Sequence, residues 1–179
     1  MKFTYYYILD YLKKDEIKKL NFSFKNKSKD FTRQATTIKT STAVQMPYDE
    51  LKKIKDVHPV ILNINRSTFG FDLYENLTDY VVHNTYSETN KGQYKWHQDC
   101  EPYSRNYTIK LTTLINLSEK KYSGGEFSIF DLSVPIHVKE LDNPGCLVCF
   151  PAIFSHKVSP VTKGTRMSCT IFNTGRWWK

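Results

Sequence analysis

The stretch Tyr94-Lys95-Trp96-His97-Gln98-Asp99 decides the reading of this chain, together with His156, Arg166 and Ser168 far downstream. It is bounded before by Gly92. On a strand, residues two apart project from the same face, so His97 and Asp99 can present an imidazole and a carboxylate side by side. A second imidazole from a distant strand, His156, completes three ligands grouped on one side of a metal ion. The opposite coordination positions stay open for other molecules. Arg166 follows ten residues after His156. Its planar and permanently charged fork suits a carboxylate, and Ser168 shares its face by the same period of two.

Two His and one carboxylate with open positions form the facial set used by non-haem Fe(II) enzymes. The wider pattern resembles the 2-oxoglutarate/Fe(II)-dependent dioxygenases, and within them the prolyl-4-hydroxylase-like branch. The matching residues are Phe71-Asp72-Leu73, the strand Asp79 to Tyr86, and Gly92 to Asp99, which is similar to the family's Gly-x-x-Tyr-x-x-His-x-Asp. Further on they are Lys110 to Ser118, Tyr122 to Phe127, Pro144 to Pro151, His156 to Val161 and Gly164 to Ser168.

The resemblance implies Fe(II) on His97, Asp99 and His156, with those three as the catalytic centre. It implies 2-oxoglutarate as cosubstrate, its distal carboxylate on Arg166 and Ser168 with the Tyr86 phenol contributing. Asn116 is a further candidate for the cosubstrate pocket. Dioxygen is the oxidant, succinate and carbon dioxide are released, and ascorbate is a candidate reductant. Because Asp99 is present, the expected outcome is hydroxylation, since halogenating relatives replace this carboxylate with a small residue. The expected substrate is a prolyl residue in a peptide or protein. The alternatives are the same chemistry on a free amino acid, small metabolite or nucleobase, and a non-catalytic jelly-roll binding module. Nucleic acid is a weaker expectation, because the second Arg typical of alkylation-repair demethylases is missing.

The 179 residues carry 40% hydrophobic and 15% aromatic side chains, enough for one domain with a real core. The formal charge is +8, and residues 1–60 hold 13 Lys+Arg against 7 Asp+Glu. A Lys-rich solvated face explains this more simply than a nucleic-acid surface. No apolar run reaches the roughly 20 residues of a membrane span, and residues 1–10 lack the features of a secretory signal; a cytoplasmic location is expected. Cys146 and Cys149, three apart on a strand, should face opposite ways as free thiols. His58, His83 and His137 read as structural.

The expected fold class is α+β and mainly β: a double-stranded β-helix (jelly roll) over residues 79–179, with N-terminal helices in residues 1–78 packed on it as support. A helix is expected around Asp15-Glu16 from the recurrence of Leu9, Leu12, Ile17 and Leu20, a second from Pro47, and a third from Val57 to Phe69. Eight strands follow, near 79–87, 94–99, 108–118, 125–131, 135–140, 146–150, 155–161 and 165–174. The strands carrying His156 and Arg166 are expected to be neighbours across the turn at Lys163-Gly164. Asn21–Thr42 reads as loop and short strand, and Ser87–Lys91 as a flexible loop. Tyr94 and Trp96 should brace the site, and Gly124-Gly125 should make a tight turn.

Overall fold

A computed structural model describes residues 4–27, 38–74, 79–100, 107–130 and 134–177. Among these residues twelve strands run in chain order: β1 Tyr6–Ile8, β2 Thr42–Pro47, β3 Tyr80–Ser87, β4 Tyr94–His97, β5 Tyr107–Asn116, β6 Ser123–Gly124, β7 Phe127–Phe130, β8 Pro135–His137, β9 Leu147–Pro151, β10 Ser155–Val158, β11 Val161–Lys163 and β12 Thr165–Arg176. Six form a major sheet in the order β1-β9-β5-β12-β3-β2, and four a minor sheet in the order β4-β10-β7-β8. The strand pairs are antiparallel. The jelly roll expected from the sequence is the architecture observed.

Helix α1 (Lys14–Lys27) carries Asp15 and Glu16 in its first turn, where negative charge offsets the helix dipole. Glu16 Oε2 reaches back to accept from Lys13 N at 2.7 Å, half of a capping box. The helix runs past Leu20, so the first seven residues of the stretch expected to be loop are helical, and residues 28–37 lie outside the described set. Helix α2 spans Tyr48–Lys52. Helix α3 (His58–Ile64) has Pro59 in its first turn and passes into a π-turn, Asn65–Phe69, closed by Gly70 at φ 71°.

These helices lie against one face of the major sheet. Leu12, Ile17, Leu20 and Phe24 of the α1 region, with Leu51, Ile61 and Ile64, join Val81, Leu111, Ile115, Cys149, Cys169 and Ile171 in one buried cluster. A second cluster fills the space between the sheets, built on Tyr86, Leu114, Phe127, Ile129, Cys146, Val148, Phe150 and Val158. Cys146 and Cys149 therefore serve opposite clusters, and all four cysteines are free.

Three expectations are corrected. The N-terminal region supplies strands as well as helices: β1 pairs with β9 and β2 with β3, at the two edges of the major sheet. The strand of His156 is not a neighbour of the strand of Arg166. β10 lies in the minor sheet and β12 in the major one, because the short strand β11 carries the chain across before the turn at Gly164. Ser87–Lys91 is not a free loop. It is a 3-10 turn with Ser87 Oγ accepting from Thr89 N, tied by Glu88 N to Gly164 O at 3.0 Å and by Gly164 N to Glu88 Oε2 at 2.9 Å.

Candidate active site

Between the two sheets lies a cavity of about 190 Å³. His97, Asp99 and His156 are on its wall from the minor-sheet side, and Tyr86, Arg166 and Ser168 from the major sheet. His97 on β4 and His156 on β10 are register partners. Asp99 follows the end of β4, its N–H donating to Ala152 O at 3.1 Å. The Nε2 of His97 is 3.6 Å from Asp99 Oδ1, and the Nε2 of His156 is 3.3 Å from Oδ2. One ligand atom from each of the three lies within 4.8 Å of the others.

Local hydrogen bonds prepare these donors. His97 Nδ1 faces Lys95 O at 2.8 Å, and His156 Nδ1 faces Phe154 O at 3.0 Å. A carbonyl oxygen only accepts, so each Nδ1 carries a hydrogen, and each Nε2 faces Asp99 as the nitrogen that can ligate. Thr112 Oγ1 donates to Asp99 Oδ2 at 2.8 Å and fixes the carboxylate. Burial alone would raise the Asp99 carboxyl, but His156, His97 and the Thr112 hydroxyl outweigh it and the net shift is downward. Burial, helped by His156, lowers His97 to about 4. At neutral pH the set is thus an ionised carboxylate with a neutral His97, the protonation states a divalent ion requires. The donor set fits such an ion.

Tyr94 packs its ring on His97 with centroids 3.4 Å apart. The β4–β10 pairing is irregular between the His156 and Val158 positions. This lets Tyr94 and His97, three residues apart, line the same cavity. Trp96 does not brace the site: it is 39% exposed, with Lys157 Nζ 4.9 Å from its ring centroid. Phe127 and Phe150 flank His156 at 5.7 and 4.9 Å and shut water from that side.

Arg166 is 1% exposed. Its Nη1 donates to Ser168 Oγ at 3.3 Å, and its guanidinium lies 5.3 Å from the Tyr86 ring centroid. Its Nη2 is buried with no hydrogen-bond partner among the described residues. A buried charged donor left unmatched is costly, so this atom marks the place of an anion. A carboxylate fits, with the Ser168 hydroxyl hydrogen and the Tyr86 phenol beside it. Burial raises the Tyr86 phenol despite the nearby Arg166 charge, so it stays protonated and able to donate. Gly125, at φ +66°, makes room for the arginine stem; a Cβ there would lie 3.0 Å from Arg166 Cδ.

The structure brings together six of the seven residues named from the sequence. Asn116 is the exception. Its Nδ2 donates to Leu141 O at 2.8 Å and its Oδ1 accepts from Ser118 N at 2.9 Å. It holds the backbone at the end of β5 and does not line the cavity, because a buried amide is drawn to unpaired loop groups. Sequence reading missed Thr112, Asn84 and Lys39. Thr112 and Asn84 sit at inward strand positions that period-two counting could have found. Lys39 carried no such signal.

A family model described as the 2OG-Fe(II) oxygenase superfamily matches residues 81–174. A PKHD-type hydroxylase of Nitrosomonas europaea is 29% identical over 145 residues, covering 78% of this chain. The chain spans only 62% of that protein's length. Among solved structures, a Pseudomonas putida prolyl-4-hydroxylase superposes with a TM-score of 0.73 at 18% identity, covering 98% of this chain and 95% of that one. A viral collagen prolyl hydroxylase from Paramecium bursaria Chlorella virus-1, in complex with 2OG, gives 0.69 at 17%, covering 97% of both. A Trichoplax adhaerens prolyl hydroxylase, bound to a hypoxia inducible factor peptide, gives 0.67 at 13%, covering 95% and 83%. At these identities the solved structures speak for the fold.

Proposed function

Because the chain belongs to the 2OG-Fe(II) oxygenase superfamily, we propose that it hydroxylates a prolyl residue in a peptide or protein, with release of succinate and carbon dioxide. The observation that carries this is the buried, unpartnered Nη2 of Arg166, which shares one cavity with the His97, Asp99 and His156 donors. A binding module that had lost catalysis would gain nothing from keeping both. The prolyl substrate is supported by the likeness to prolyl hydroxylases, one of them bound to a peptide.

In this reading His97, Asp99 and His156 hold Fe(II), and Arg166, Ser168 and Tyr86 hold the distal carboxylate of 2-oxoglutarate. Bound together, the metal and cosubstrate supply the oxidising power drawn from dioxygen. The chain's own residues orient and exclude. Thr112 and the two Nδ1 contacts fix the ligands, and Phe127 and Phe150 keep the His156 side dry. Ascorbate serves to keep the metal reduced. The four free cysteines, three of them buried, suit a reducing compartment such as the cytoplasm, and no helix among the described residues is long and apolar enough to cross a membrane.

A second reading, the same chemistry on a free amino acid or small metabolite, is favoured by the modest size of the cavity. One experiment separates the two. Proline-rich peptides, free proline and a metabolite panel are incubated with Fe(II), 2-oxoglutarate and ascorbate, then weighed by mass spectrometry. One added oxygen on a peptide proline, absent in His156→Ala, supports the proposal. Turnover of a small molecule with every peptide unchanged overturns it.

A further inference from the structure

Asp99 supplies the carboxylate of the donor set, and a carboxylate can hold an ion through one oxygen or through both. Its pose leaves both within reach. Oδ1 lies 3.6 Å from His97 Nε2 and Oδ2 lies 3.3 Å from His156 Nε2, so one oxygen faces each imidazole. Toward an ion held by both rings, that is the stance of a two-oxygen clamp.

Thr112 breaks this symmetry. Its hydroxyl donates to Oδ2 at 2.8 Å. A hydrogen bond to a charged oxygen holds it in place and draws on its charge, so the two oxygens are no longer equal as donors to a metal. The bond also reaches across the cavity wall. Thr112 lies on β5 of the major sheet, whereas His97 and His156 are fixed through Lys95 O and Phe154 O, close to them in the chain. Backbone bonds set the distance it spans: Asp99 N donates to Ala152 O, and Ala152 N to Lys110 O on β5.

The surroundings of Thr112 show that its hydroxyl is kept for this contact. The residue is 0% exposed, with Phe150 and Phe172 as its register partners on either side. Valine has nearly the same shape and would fill such a place with no polar group to satisfy.

One oxygen or two decides what else the ion can hold. An octahedral ion that takes one atom from each donor keeps about half of its positions. With Arg166 on the distal carboxylate of 2-oxoglutarate, the other carboxylate and its neighbouring oxo oxygen suit a two-point chelate. A single position then remains for dioxygen, and a second oxygen from Asp99 would fill it.

We propose that Thr112 makes Asp99 a one-oxygen ligand: its hydroxyl engages Oδ2, the metal is held through Oδ1, and the position a second carboxylate oxygen would take stays open. Thr112 is a positioning residue, acting through Asp99. This rests on the oxygenase reading above and deepens it.

The test counts exchangeable water on Mn(II) by proton relaxation, under argon, where no turnover occurs. The wild type should carry about three waters per ion, falling to about one when 2-oxoglutarate is added. Thr112→Val and Thr112→Ala should both carry about two, falling to none, although the first keeps the side-chain volume and the second does not. Thr112→Ser should restore the wild-type counts, because the hydroxyl returns. The effect then follows the hydrogen bond and not the packing. Wild-type counts in the Val and Ala variants overturn the proposal even where their Mn(II) affinity falls, since Thr112 would then merely steady Asp99. A Ser variant that behaves as the Ala variant overturns it too. In either case a wild type that binds Mn(II) and loses water to 2-oxoglutarate leaves the oxygenase reading standing; a wild type that does neither takes both down.

Discussion

The two faces of the major sheet are made by the same strands and do opposite work. On β12, Met167, Cys169 and Ile171 pack toward the helices, while Arg166, Ser168, Thr170, Phe172 and Thr174 line the cavity. On β3, Val81 faces the helices while Val82, Asn84 and Tyr86 face inward. The helix face is filled with apolar side chains, so its contribution is non-directional burial. The cavity face keeps polar side chains such as Asn84, Thr170, Ser168 and Arg166 out of water and pairs them with one another, while the Nη2 of Arg166 has no partner among the described residues. One face supplies the stability that lets the other hold groups costly to bury.

The largest effect should come from removing the cavity's metal donors. His97→Ala, Asp99→Ala or His156→Ala should each abolish saturable Fe(II) binding near one ion per chain, measured by anaerobic titration, while the melting temperature of the metal-free protein falls little. A variant that still binds Fe(II) as the wild type does would remove that residue from the set.

Next comes Arg166→Ala. It should weaken 2-oxoglutarate binding by about 2–5 kcal/mol, the usual cost of truncating one side of a desolvated charge pair, and leave Fe(II) binding nearly intact. Arg166→Lys should recover part of the loss, since it restores charge without the fork. Calorimetry with and without metal separates the two affinities.

A helix-face change should show the reverse profile. Leu20 is fully buried, so Leu20→Ala should cost about 2–5 kcal/mol of unfolding free energy in urea, with 2-oxoglutarate affinity unchanged at temperatures where the variant is folded. An equal loss of affinity would mean that the two faces are not separable.

The smallest effect concerns His83, which lies on the helix side against Phe24, its Nε2 3.2 Å from Asn21 Oδ1. Burial lowers it to about 4 from the ordinary imidazole value of 6.5. The folded form keeps it neutral while the unfolded chain binds a proton below pH 6.5, so stability present above that pH is lost as pH falls toward 4. The full change is about 3 kcal/mol. In metal-free protein, His83→Gln should flatten the pH dependence of the urea midpoint between 6.5 and 4. An unchanged slope would show that His83 titrates alike in both states.

Much of the site was legible in the sequence because its geometry is local. Arg166 and Ser168 share a face by strand period alone, and both line the cavity. The jelly roll followed from short alternating strands after Asp79. What escaped was set by tertiary context. The irregular pairing of β4 turned Tyr94 inward and left Trp96 outside, which an ideal alternation cannot foresee. Asn116 has the right parity but is held by Leu141 and Ser118, partners no spacing reveals. β1 has three residues and a half-exposed pattern, so only pairing with β9 makes it a strand. Lys39 lines the cavity because the chain bridges β4 there and then enters β2, at the edges of the two sheets, and nothing in its neighbours signals that.

The pairing of β1 with β9 also bears on how the molecule assembles. Tyr6 leaves the ribosome about 140 residues before its partner Cys149, and β5 waits for β9 and β12 in the same way. The major sheet therefore cannot close until β12, the last of its strands in chain order, has been made. Topologies dominated by such distant pairings fold slowly, on the order of milliseconds to seconds. Until then, apolar strands such as Leu147–Pro151 present open edges to other nascent chains. Cells making this protein should show it as a client of general chaperones, with capture ending once β12 has been released.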